Sequence, residues 1–99
     1  DEKRKYIHLT AVFACNFVNH LYARAKEISD SQGIPFDYFL PLIDETTQKI
    51  HELEPKLAQT GPAIRNDEKV LKLHESLLTD EEKLKIYKTL NESIKKMYH

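Results

Sequence analysis

The residues able to do chemistry fall in two places. His8, Asn16, Asn19 and His20 interrupt an otherwise apolar stretch near the start of the chain. On a helix at about 100° per residue they sit at roughly 0°, 80°, 20° and 120°, sharing one arc. A carboxamide offers donor and acceptor together, so the arc suits the lining of a ligand cleft, with Asn16 presented to the ligand. It suits interhelical hydrogen bonding as well, because a buried amide must be satisfied somewhere. The second place is Gln59-Thr60-Gly61-Pro62-Ala63-Ile64-Arg65-Asn66-Asp67. It joins a hydroxyl (Thr60), a permissive glycine (Gly61), a guanidinium (Arg65) and a helix start at Asp67. Arginine just ahead of a helix N-terminus suits a substrate carboxylate or a phosphate. The plainer alternative pairs Arg65 with Asp67 or a neighbouring carboxylate.

Other chemistries lack their spacing. The histidines at 8, 20, 51, 74 and 99 form no His-x-x-x-His pair, and Cys15 has no second cysteine near it, so no metal site is expected. Cys15 itself reads as a small core residue in the apolar belt of a helix. No glycine-rich phosphate loop occurs, so a nucleotide-binding fold and its cofactor are not expected within these residues.

The elements that must position these groups are helices. Just two glycines and four prolines in 99 residues leave few turns, and no strand pattern appears. From Glu2 to about Ser31 there is no glycine or proline, and Gly33 with Pro35 closes the run. Between Leu9 and Ile28 its apolar positions cover most of the circumference, which predicts burial on nearly all sides. About 29 residues give a helix of roughly 43 Å. A compact domain of this length is only about 33 Å across, so a second copy or a missing domain is expected to cover the remainder. A second helix is expected from about Asp37 to Leu53, with Pro41 near its start, then a short turn at Pro55. Asp67 reads as the N-cap of a helix to Leu78. Thr79 with Glu82 reads as a capping box opening a last helix. The fold class is all-α, a single domain over 1–99 with about five helices.

Charged residues make up 31% of the chain and hydrophobic ones 40%, a globular balance. With 15 Lys+Arg against 16 Asp+Glu there is no basic surplus to neutralise phosphates, and nucleic acid is not an expected partner. A charged start, residues 1–5 (DEKRK), is no signal peptide, and no uncharged run approaches the ~18 residues of a membrane span. The lone cysteine fits a reducing compartment, and cytoplasmic localisation is expected. The chain opens on Asp1 and its only methionine is Met97, so it reads as a piece of a longer protein.

Three segments carry a resemblance to a known family: His8-Leu9-Thr10-Ala11-Val12-Phe13-Ala14-Cys15-Asn16-Phe17, then Leu40-Pro41-Leu42-Ile43 with Thr46 a turn later, then Gln59 through Asp67 with His74 beyond. Together they resemble the helical C-terminal domain of unknown function that follows a Rossmann-like NAD(P)-binding domain in proteins classed as oxidoreductases. That domain is similar to the C-terminal domains of 6-phosphogluconate dehydrogenase-like and pyrroline-5-carboxylate reductase-like enzymes, which dimerise through long helices and close one side of the active cleft. Position 66, glycine in the family pattern, is Asn66 here, and Asn tolerates a left-handed backbone.

The resemblance implies a dimerisation and substrate-side domain, inactive alone, with NAD or NADP held by an N-terminal domain of the same polypeptide. His8, Asn16, Thr46, Thr60, Gly61, Arg65 and His74 become substrate-binding candidates, for a small anionic substrate. No catalytic residue is assigned, although imidazole titrates nearest neutrality and His8 or His74 would suit a general acid. The alternative is a free-standing helical homodimer acting as a protein-interaction module, its polar arc only fixing how helices pair.

Overall fold

The computed structural model describes all residues, 1–99, and every regular element is helical. The chain divides into two compact units, Asp1–Asp44 and Glu45–His99.

In the first unit, α1 (Glu2–Ala11), a wide π turn (Val12–Asn16) and α2 (Phe17–Ser31) follow without a break. Asp1 caps the start, its Oδ1 accepting from the Arg4 N–H at 2.9 Å. The run ends as glycine and proline predict. Gly33 takes φ +68°, a conformation that costs a residue without Cβ nothing. Ile34 N–H then bonds Ser29 O at 2.9 Å, and Gly33 N–H bonds Asp30 O at 3.1 Å, closing the last carbonyls in a Schellman motif.

The second helix starts later than expected. Phe36–Phe39 form a 3₁₀ turn and α3 (Leu40–Glu52) begins after it. Pro41 supplies the reason, since in an α-helix already under way its ring would collide with the carbonyl of Asp37, four residues back. At the end of α2 this turn packs back on the helix, and Tyr22, Ile28, Ile34, Phe36, Phe39 and Ile43 line an apolar notch of about 340 Å³.

In the second unit Pro55 opens the short α4 (Pro55–Ala58), and α5 (Glu68–Leu77) and α6 (Glu81–Tyr98) form a hairpin. The cap of α6 is Asp80, not Thr79. Its Oδ2 accepts from Lys83 N–H at 2.9 Å. Leu78 leaves α5 in an extended conformation that carries on to Asp80, so the helix begins one residue beyond the predicted box, on a carboxylate that also favours the helix dipole.

Burial is sparse. Ala63 and Leu71 are the buried apolar residues, while Tyr6, Ile7 and Phe13 on the first helix stand 64%, 69% and 64% exposed. The cover expected for this helix is not supplied by the chain's own residues. Cys15, read as a core residue, is exposed for the same reason.

Candidate functional site

The candidates of the first unit are set by the wide turn. Phe17 N–H donates to Val12 O, five residues back rather than four. One extra residue is thereby held in the turn, and everything beyond it is set back by about 100°. The arc predicted for an uninterrupted helix is therefore rearranged. With His8 at 0°, Asn16 falls at about −20° and His20 at about 20°, while Asn19 swings to roughly −80°. His8, Asn16 and His20 form one row and Asn19 leaves it. All are exposed.

The candidates of the second unit gather in the loop between α4 and α5. Gly61 adopts φ +107° and Asn66 φ +53°, the left-handed conformation that the Asn at this position was expected to accept. Asp67 N–H bonds Pro62 O at 2.9 Å and Asn66 N–H bonds Ala63 O at 3.2 Å, a closed turn with Ala63 buried beneath it. Asp67 then caps α5, its Oδ1 accepting from Val70 N–H at 3.3 Å. Thr60 and Arg65 stand exposed on this frame. The carboxylates proposed as plain partners for Arg65 are otherwise used: Asp67 by the helix start, and Glu68 by Lys95 Nζ at 2.7 Å.

His74 serves a different purpose. It is half-buried, its Nδ1 lies 2.7 Å from Tyr87 Oη, and the rings meet edge to face at 5.7 Å. Together with Lys95–Glu68 this contact ties α5 to α6 in antiparallel order, so one imidazole nitrogen is committed to holding the hairpin. Thr46 is exposed on α3.

The loop is also held from the far end of α6, which sequence reasoning missed. Tyr98 Oη donates to Lys56 O at 2.6 Å, and His99 Nε2 lies 2.9 Å from Ile64 O. These contacts fix the two sides of the segment that carries Thr60, Gly61 and Arg65. No spacing announces them, because the partners are 42 and 35 residues apart in the chain.

The segments that carry the family resemblance are thus the helix with His8 and Asn16 and the capped loop with Thr60, Gly61 and Arg65. The family described as "Domain of unknown function (DUF2520)" matches residues 1–94. The chain belongs to the DUF2520 family. This DUF2520 chain is also similar to the crystal structure of a "putative NADP oxidoreductase" from Bacteroides fragilis, with 54% identity and a TM-score of 0.93. The match covers 96% of this chain and 37% of that one, so the DUF2520 chain spans little more than a third of the protein it resembles. The comparison with curated proteins gives no match. No helix of this DUF2520 chain is long and apolar enough to cross a membrane.

Proposed function

We propose that this chain is the substrate-side and dimerisation domain of an NAD(P)-dependent oxidoreductase whose Rossmann-like domain lies elsewhere in the same polypeptide. The observation that carries the reading is the match of nearly the whole chain to 37% of a protein described as a "putative NADP oxidoreductase". In this reading the chain has no catalysis of its own. The cofactor, NAD or NADP, is bound by the other domain. His8 and Asn16 on the first helix, and Thr60, Gly61 and Arg65 on the capped loop, are each taken as substrate-binding candidates, for a small anion. Thr46 and His74 stay candidates, His74 through the ring nitrogen that Tyr87 does not take.

Exposure of the first helix supports the dimerisation part. Leu9, Phe13, Phe17 and Leu21 are 50%, 64%, 51% and 38% exposed. Such a row costs stability unless something covers it, and a second copy of the same helix is the partner we assign. The single cysteine and the absence of a membrane span favour the cytoplasm as its place.

The exposed row also suits a homodimeric interaction module without catalysis. The coding sequence upstream of Asp1 separates the two readings. A strand–Gly-x-Gly-x-x-Gly–helix segment is expected there, and an upstream region without one would leave only the interaction module.

A further inference from the structure

In the hairpin α6 outruns its partner. It has eighteen residues to the ten of α5. Lys95 Nζ meets Glu68, the first residue of α5, at 2.7 Å, so the residues after Lys95 run on past the start of α5, alongside the loop that leads into it. Taking Lys95 as 0°, Tyr98 and His99 stand at about −60° and 40°, on the same face of the helix end. Each reaches a different side of the loop.

Both contacts fall on carbonyls that local hydrogen bonds leave over. A helix of four residues cannot satisfy its last carbonyls itself, and Tyr98 Oη donates to one of them, Lys56 O of α4, at 2.6 Å. Within the loop, Asn66 N–H and Asp67 N–H take Ala63 O and Pro62 O. The next carbonyl, Ile64 O, is the one that His99 Nε2 meets at 2.9 Å. With a carbonyl as acceptor, Nε2 is the donor. That carbonyl belongs to the planar peptide unit whose N–H is that of Arg65, so His99 fixes the plane from which the arginine side chain departs. Between the two ties lies Gly61, in open space at φ +107°, the residue of the segment freest to pivot.

We infer that Tyr98 and His99 are positioning residues for Arg65. The end of α6 holds the loop in one arrangement and so sets how strongly Arg65 meets an anion. The family match covers residues 1–94 and stops short of both. The inference rests on the reading of Arg65 as a substrate-binding residue.

The test uses the complete polypeptide and two readouts. One is amide hydrogen exchange at Asn66 and Asp67, whose N–H groups close the loop. The other is the side-chain N–H resonance of Arg65 during titration with inorganic sulfate as the probe. Tyr98→Phe combined with His99→Ala should speed exchange at Asn66 and Asp67 about tenfold, the loss of two exposed hydrogen bonds at the lower end of their usual net value. Without the ties the loop's closure rests on its own turn, and sulfate affinity at Arg65 should fall with the closed fraction, by about threefold or more. Amides midway along the hairpin, around His74 and Tyr87, should exchange as before. Replacing the alanine by His99→Gln, which keeps an N–H donor, should recover part of both effects. Unchanged exchange at Asn66 and Asp67, or unchanged sulfate affinity in the variants, overturns the inference and leaves the reading of Arg65 intact. Faster exchange along the whole hairpin makes Tyr98 and His99 structural residues only and overturns it too. An Arg65 resonance that sulfate does not move in the unaltered polypeptide overturns the inference and Arg65's place at the substrate together.

Discussion

His74 Nδ1 and Tyr87 Oη lie 2.7 Å apart across the α5–α6 hairpin, a side-chain hydrogen bond that joins these two helices. With Lys95–Glu68 near the opposite end of α5, it fixes the hairpin on which the Thr60–Arg65 loop is mounted. Tyr87→Phe keeps the ring contact and removes the bond. It should lower the stability of the chain by about 1 kcal/mol, the usual net value for a half-buried hydrogen bond. Urea unfolding of the two proteins measures it, and equal midpoints would mean that His74 is not held by Tyr87 in solution.

The start of α6 gives a second prediction. Asp80→Ala should cost about 1 kcal/mol as the loss of an N-cap, whereas Thr79→Ala should cost under about 0.5 kcal/mol as an exposed change beyond the helix. Thermal unfolding of both variants checks the order, and the reverse order would restore Thr79 as the cap.

What was legible in the sequence, and what was not, divides along physical lines. Gly33, Asn66 and Asp67 were readable because left-handed backbone and helix starts each demand particular residue types. Thr79 and Asp80 are both good caps, and only the extended path out of Leu78 chooses between them. The wide turn left no mark, since Val12, Phe13, Ala14 and Cys15 are ordinary helix residues. The arc of His8, Asn16, Asn19 and His20 was therefore drawn with a phase that the backbone does not keep. The loop of Thr60, Gly61 and Arg65 could be recognised as a unit, but its tethers to Tyr98 and His99 join segments too distant in sequence for any periodicity to reveal.

Arg65 gives the third prediction. Exposed, with Asp67 and Glu68 otherwise occupied, it should contribute little to folding. In the complete polypeptide Arg65→Ala should change stability by no more than about 0.5 kcal/mol and, on the proposed role, weaken an anionic substrate by about tenfold or more, one charge-assisted hydrogen bond. Steady-state kinetics beside a melting curve separates the two. Lost stability with unchanged KM would make Arg65 a structural residue.

The exposed row on the first helix gives the fourth. Residues 1–99 alone should sediment as a homodimer at micromolar concentration, and Phe13→Glu, which sets a charge in the middle of that row, should shift the species toward monomer. A wild-type chain that is monomeric with its helices intact would remove the dimerisation role.

The central claim is that these residues are the substrate-side part of a nicotinamide-dependent enzyme and that the cofactor is bound elsewhere in the polypeptide. Calorimetric titration of NADPH into the complete polypeptide and into residues 1–99 alone tests it most directly. The account predicts saturable binding to the complete polypeptide and none to the isolated chain, which has no βα turn to receive a pyrophosphate. Saturable micromolar binding to residues 1–99 alone, or none to the complete polypeptide, would contradict it.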